Sequence, residues 1–157
     1  MKLIKLMYIV DREALLRWGR PISTDRYVSM DHGPVLSKTL DLINAGKDPK
    51  EKGVWFKHIS EPRGYVVTLV KDSPLDELSR AEEKLIREVD QKFGHKDKWE
   101  LVRFLHTLPE WKDPNGSAIQ IDYRDILEAG DKTEREVVAI EDELKALGRF
   151  RSLVPAK

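Results

Sequence analysis

The sequence holds 157 residues, of which 40% are hydrophobic and 36% are charged. A chain of this length can bury about two-thirds of its unfolded surface, so we expect a single folded domain over residues 1–157. The 28 basic and 28 acidic side chains cancel, which argues against a nucleic-acid partner because nucleic-acid binders carry a strong basic excess. No cysteine is present, which excludes disulfides and fits a cytoplasmic location.

The first predicted helix spans residues 3–18, where apolar side chains recur at three- and four-residue steps. They are Leu3, Met7, Val10, Ala14 and Leu15, with Ile4, Tyr8 and Trp18 beside them. The apolar start of this segment is too short for a membrane span or a signal peptide, and we expect neither.

Asp11 interrupts this apolar pattern, because it lies one helical turn from both Met7 and Leu15. A carboxylate at the edge of a buried face needs hydrogen-bond partners. We therefore interpret Asp11 as a structural anchor, either for the Gly33-Pro34 turn, for an adjacent helix terminus, or as the ion-pair partner of Arg26.

Residues 25–36 contain the backbone conformations that the fewest residue types in the chain could adopt. Tyr27 to Asp31 alternates in the manner of a short extended segment, and His32-Gly33-Pro34 then ends it. The residue before proline avoids the α region, and glycine adopts positive φ at little cost. Pro34 suits the first position of a helix, so we predict a helix over residues 35–45.

Two apolar runs rich in β-branched and aromatic residues follow a charged turn at residues 47–53. They cover residues 54–59 and 65–70 and predict an antiparallel β-hairpin with a five-residue loop at 60–64. A hairpin after two helices also permits a winged-helix DNA-binding interpretation, with Arg63 on the wing. Asp41 and Glu61 argue against it, because both would face phosphate.

The second half is predicted to be helical. Ser79 to Glu82 forms a capping box for a helix ending at Phe93, and Asp97 caps a helix ending before Pro109. Ile119 to Ile121 is predicted to be extended, and further helices begin after Asp122 and Thr133. The fold class is therefore α+β and mainly α, with about six helices around one core and a single antiparallel hairpin.

The four histidines are widely spaced and form no helical zinc motif, so we expect no metal. His106 falls near a helix end and suits a cap or core position. No phosphate-binding glycine loop or nucleophile elbow occurs, and we expect neither a cofactor nor an enzyme. By elimination the protein should act by binding.

Several motifs, taken in order, resemble the Panacea domain of SocA-like antitoxins over about residues 2–145. The first half contributes Lys2 to Arg12, Gly19 to Ile22, Asp25 to Tyr27 and His32 to Val35. The second half contributes Leu78-Ser79, Phe93-Gly94, Trp99 to Leu101 and His106 to Trp111. The most specific part is the aspartate near the end of the first helix combined with the Gly-Pro-Val turn.

The resemblance implies an antitoxin that neutralises a co-encoded toxin by direct protein contact. Two alternatives remain: an adaptor that delivers the toxin to a AAA+ protease, and a winged-helix autorepressor. The partner expected first is the cognate toxin, whose chemistry this chain does not reveal.

We expect the partner-binding residues to be Tyr27, Asp31, His32, Gly33 and Pro34, because a turn held by glycine and proline loses little entropy on binding. Lys57 and Arg63 on the predicted hairpin are a second choice, since they would supply cations to an acidic partner.

Overall fold

The computed structural model describes residues 1–45, 53–73 and 77–153, with the backbone alone for residues 149–153. In these ranges the chain forms seven helices and three strands. The helices are α1 Lys2–Trp18, α2 Ser37–Asn44, α3 Val54–His58, α4 Arg80–Phe93, α5 Lys98–Leu105, α6 Tyr123–Ala129 and α7 Glu134–Leu153; the strands are β1 Tyr27–Ser29, β2 Val35–Leu36 and β3 Ile119–Ile121. The predicted class, mainly helical α+β, is confirmed.

Helix α1 is the central element of the core. It packs against α4, α5, α6 and β2. Its buried side chains include Tyr8, Ala14 and Leu15, none of which has any exposed surface. The Tyr27 ring stands edge-on to Tyr8 and also to Tyr123, with centroids 5.5 Å apart in each pair, so aromatic contacts join α1, β1 and α6.

The three strands form one antiparallel sheet in the order β2-β1-β3. Tyr27 lies opposite Leu36 in β2 and opposite Ile121 in β3. The extended segment predicted from Tyr27 to Asp31 is confirmed over Tyr27–Ser29, whereas Asp31 lies in a turn. The extended segment predicted at Ile119 to Ile121 is confirmed.

The predicted start of the second helix was too early, because Val35 and Leu36 form β2 instead. Both side chains are buried in the core, at 4% and 0% exposure. Helix α2 begins at Ser37 because the Asp25 carboxylate accepts hydrogen bonds from the backbone N–H groups of Lys38 and Thr39, each at 2.8 Å. A side chain distant in sequence thus caps this helix, so the local sequence pattern does not predict where the helix begins.

The predicted capping boxes are confirmed. Ser79 and Glu82 satisfy each other's backbone N–H groups at the start of α4, as Asp97 and Glu100 do at the start of α5. Thr133 caps α7 in the same way.

The predicted β-hairpin is wrong in its first arm, because residues Val54–His58 form helix α3. The chain still folds back on itself through isolated antiparallel bridges at Ile59↔Leu69 and Arg63↔Val66. Its turn is the two-residue loop Gly64-Tyr65, both at positive φ, and not the predicted five residues. Strand propensity depends on packing against neighbours, and most side chains of residues 53–73 are exposed, so the propensity alone did not produce a strand.

Because residues 54–58 are helical, the regular β-wing that the winged-helix interpretation requires is not formed by the described residues.

We call residues 53–73 the excursion. The predicted charged turn lies outside the described residues except for Gly53.

Among the helices of the described ranges, none is long and apolar enough to span a membrane.

Candidate partner-binding surface

The turn at residues 31–34 is rigidly built. Gly33 has φ +90°, and its N–H donates a hydrogen bond to the Met30 carbonyl at 2.8 Å. A Cβ atom on Gly33 would lie 3.1 Å from the Leu105 Cβ, so both backbone conformation and space favour glycine here. Gly33 and Pro34 are buried, which leaves Asp31 and His32 as the exposed residues of the turn.

A buried lysine lies directly beneath the turn. Lys5 is 1% exposed, and its Nζ lies 3.5 Å from the Gly33 carbonyl oxygen, a long hydrogen bond. Burial lowers the pKa of Lys5 to about 8. In the structure Lys5 lies one turn before Ile9 on the buried side of α1, a position that the predicted apolar stripe of this helix did not include.

Two histidine–tryptophan pairs flank the turn. The His32 and Trp99 rings are 5.6 Å apart, and the Lys98 Nζ lies 5.0 Å from the Trp99 ring. His106 stacks on Trp111 at 3.9 Å, and the Trp111 indole N–H donates to the Met30 carbonyl at 3.1 Å. The His106 Nε2 atom is buried without a hydrogen-bond partner among the described residues.

We define the turn patch as Asp31, His32, Lys98 and Trp99. All four residues are exposed, Trp99 to 46%. The Asp31 side chain is held in one position because its Oδ1 accepts a hydrogen bond from the Gly116 N–H at 2.9 Å. The patch therefore combines an aromatic ring, a cation and a fixed carboxylate on a rigid support. Asp31 and His32 were predicted from the sequence, whereas Lys98 and Trp99 were not, because they approach the turn only when α5 packs against it.

Tyr27 does not belong to this surface. It is 1% exposed, and its hydroxyl donates to the Asp11 carboxylate at 3.2 Å. Burial and the neighbouring Asp11 charge raise the pKa of Tyr27. A partner cannot reach the ring, so we assign Tyr27 to the support of the sheet.

Asp11 holds the segment that follows α1. Its Oδ1 accepts hydrogen bonds from the backbone N–H groups of Ile22 and Ser23 at 3.0 and 2.9 Å, and its Oδ2 accepts from the hydroxyls of Ser23 and Tyr27. Burial raises the pKa of the Asp11 carboxyl, and these hydrogen bonds offset part of that rise. Asp11 therefore anchors the connection between α1 and β1, and not the Gly33-Pro34 turn, an adjacent helix terminus or Arg26.

Lys57 and Arg63 lie on the excursion, and both are exposed. No hydrogen bond or ion pair of the described residues joins either one to the turn patch. The tip of the excursion also presents Tyr65, which is 97% exposed at φ 69°. Lys57, Arg63 and Tyr65 are thus all exposed on the excursion.

Glu110 is a buried carboxylate that joins the loop after α5 to α1. It is 3% exposed, and its carboxylate accepts hydrogen bonds from the Tyr8 hydroxyl at 2.9 Å and the Arg12 Nε at 2.6 Å. In the sequence, Glu110 belongs to the segment His106 to Trp111 that carries the family resemblance, but no buried ion pair was predicted for it. Within the described ranges, no group of three or more histidine or acidic residues is arranged to hold a metal ion.

Comparison with protein families gives the class of this chain. The model of the family described as "Antitoxin SocA-like, Panacea domain" matches residues 3–112. The chain belongs to this family. No curated protein and no solved structure matches the chain.

The matched region contains α1 to α5, β1 and β2, and therefore the whole turn patch. Strand β3 and helices α6 and α7 lie beyond it. These elements nevertheless contribute to the same core, because β3 pairs with β1 and α6 packs on α1.

Proposed function

We propose that this protein neutralises a toxin, encoded by a neighbouring gene, through direct protein–protein contact. The observation that carries the proposal is the match to the SocA-like antitoxin family over residues 3–112. An antitoxin needs a surface that recognises its toxin, and the turn patch has suitable properties.

The turn patch supports direct binding because it is both exposed and pre-organised. Gly33 and the buried Pro34 fix the backbone, and the Gly116 N–H fixes Asp31. A surface that is already ordered loses little conformational entropy on binding. Exposed tryptophan is enriched among the residues that dominate interface energies, which makes Trp99 the first candidate anchor.

The excursion offers a second contact with a partner of acidic character. Lys57 and Arg63 are exposed cations there, and Tyr65 stands at the tip. Rim charges of this kind mainly raise the association rate, so their contribution should weaken as salt rises.

The test compares two tryptophans in one chain. Trp99→Ala removes the centre of the turn patch, whereas Trp18→Ala removes a tryptophan of 36% exposure at the far end of α1. We expect Trp99→Ala to weaken binding to the purified neighbour-encoded protein by at least about tenfold and to impair growth rescue. Trp18→Ala should leave both unchanged, and thermal melting should show that both variants remain folded at the assay temperature, although each loses a partly buried ring.

Asp31→Arg provides an independent test of the same patch, again with the melting temperature as the control for folding. If the folded Asp31 and Trp99 variants both bind and rescue as the parent does, the patch is not the contact surface. If the parent neither binds nor rescues, the proposed function itself fails. Rescue that requires an intact AAA+ protease would replace direct neutralisation with the adaptor role.

A further inference from the structure

The loop between α5 and β3 carries an asparagine followed directly by a glycine, Asn115-Gly116. Both residues are exposed. They occupy the centre of a turn in which the Ser117 N–H donates a hydrogen bond to the Pro114 carbonyl at 3.1 Å. Asn115 has φ 49° and Gly116 has φ 80°. Positive φ at both central residues is typical of a type I′ turn, for which Asn-Gly is a preferred pair. We call residues 114–117 the Asn-Gly turn.

The Asn-Gly turn fixes the turn patch through one hydrogen bond. The Gly116 N–H donates to the Asp31 Oδ1 at 2.9 Å, and the Asp31 side chain makes no other hydrogen bond with the described residues. A reaction that removes or displaces this N–H therefore releases Asp31 from the position in which the chain holds it.

The Asn115 side chain is available to react with the Gly116 nitrogen. Its amide group makes no hydrogen bond with any described residue, whereas its backbone N–H donates to the Asp113 Oδ1 at 2.9 Å. Glycine has no side chain to obstruct its own nitrogen. A Cβ added to Gly116 would meet nothing within 4 Å, so the space beside this residue is open as well.

These features favour deamidation of Asn115, since asparagine is chemically labile in proteins. The Gly116 nitrogen attacks the Asn115 Cγ atom, and the new bond closes a succinimide ring. The former side-chain nitrogen leaves as ammonia, which carries away the proton of the backbone N–H. Water then opens the ring. Opening at Cγ gives aspartate, whereas opening at the backbone carbonyl gives isoaspartate, in which the main chain runs through the side-chain carbons.

We propose that Asn115 is a deamidation site and that its conversion to isoaspartate weakens toxin binding by the turn patch. The binding step rests on the proposed function, whereas the deamidation step does not. The succinimide has no N–H at residue 116, so Asp31 loses its hydrogen-bond donor. In isoaspartate the main chain is one carbon longer at residue 115, and a new negative charge lies close to that of Asp31. Both changes displace the Asp31 carboxylate.

The first experiment measures the reaction in the protein alone. The full chain is incubated at mildly alkaline pH, and peptide mapping by mass spectrometry then separates the asparagine, aspartate and isoaspartate forms. We expect conversion at Asn115 and much less at Asn44, the other asparagine of the chain, because the side chain of Ala45 hinders ring closure there. Asn115→Gly is the blocked control, since it removes the side-chain amide and keeps a pair that type I′ turns accept.

The second experiment tests the link to Asp31 without a partner. Hydrogen exchange followed by NMR should show the Gly116 amide protected in the unmodified chain. Asp31→Ala removes the acceptor, so this amide should exchange at least about fivefold faster in that variant. The isoaspartate form, separated by chromatography, should resemble Asp31→Ala.

The third experiment offers a partly deamidated sample to a limiting amount of the purified neighbour-encoded protein. Bound and unbound chains are then mapped separately. We expect the isoaspartate form to be at least about fivefold depleted in the bound fraction. Asn115→Gly, incubated for the same time, should bind as a fresh sample of that variant does.

Each outcome bears on the inference. Absence of conversion at Asn115 overturns it. Isoaspartate that leaves the Gly116 amide protected, or that is equally abundant in the bound and unbound fractions, overturns the effect on the turn patch and leaves the proposed function intact. If a fresh sample forms no complex, the proposed function fails and the binding step fails with it, while peptide mapping and amide exchange still decide whether Asn115 deamidates and releases Asp31.

Discussion

The Tyr8 hydroxyl donates a hydrogen bond of 2.9 Å to the Glu110 carboxylate, which joins the middle of α1 to the loop after α5. The same carboxylate pairs with Arg12 one turn further along α1, where the side-chain exposures are 13% for Arg12 and 0% for Glu110. The ion pair is therefore almost fully buried.

We expect Glu110→Ala to lower the free energy of unfolding by about 3 to 5 kcal/mol, because it leaves the Arg12 charge and the Tyr8 hydroxyl without their partner. Urea denaturation measures the loss. The matched control is Glu61→Ala, at an exposed position, which should change stability by less than about 0.5 kcal/mol. Equal stability of the two variants would mean that the buried pair contributes nothing beyond an exposed glutamate.

Asp11→Ala should destabilise the fold by about 1 to 3 kcal/mol, since two backbone N–H groups lose their acceptor. Thermal unfolding followed by circular dichroism gives the measurement. Asp41→Ala serves as the control, because Asp41 is exposed on α2. A melting temperature for Asp11→Ala that equals that of the control would contradict the anchoring role.

Gly33→Ala should destabilise the protein by about 2 kcal/mol, because alanine at φ +90° is strained and its Cβ would crowd Leu105. Gly148→Ala is the opposite case, since Gly148 lies inside α7 with open space around the added Cβ. That variant should gain up to about 1 kcal/mol in helix stability. In thermal unfolding, the melting temperature of Gly33→Ala should therefore fall below that of the parent, and that of Gly148→Ala should rise above it.

Local signals predicted much of this fold. The capping boxes at Ser79 and Asp97 set the starts of α4 and α5, because their hydrogen bonds join residues three apart in sequence. The start of α2 was misplaced because its cap, Asp25, lies outside the local pattern. Residues 54–58 have the composition of a strand, but they lack the packed neighbours that turn that preference into a sheet.

The candidate surface was predicted only in part for the same reason. Glycine before proline identified the turn, and Asp31 and His32 are indeed exposed there. Trp99 and Lys98 join them through tertiary packing, which leaves no mark in sequence spacing. Tyr27 was expected at the surface because it is near the turn in sequence, but alternation along β1 directs its side chain into the core.

The buried Lys5 should make the free energy of unfolding depend on pH. Burial lowers the pKa of this amine from 10.5 to about 8 in the folded protein. Below about pH 8, Lys5 is charged in both states and the folded state bears the full cost of desolvating it. Between about pH 8 and 10.5 the folded state releases the proton while the unfolded chain retains it, so the folded state is stabilised as pH rises.

We therefore expect Lys5→Met to be more stable than the parent at pH 7, with an advantage that shrinks by about 3 kcal/mol as pH rises to 10.5. The difference between parent and variant, measured by urea denaturation across this range, removes the contribution of other titrating groups. Lys84→Met is the control, because 79% of the Lys84 side chain is exposed and folding does not bury it. A parent-to-variant difference that stays constant from pH 7 to 10.5 would show that Lys5 keeps an ordinary pKa beneath the Gly33 turn.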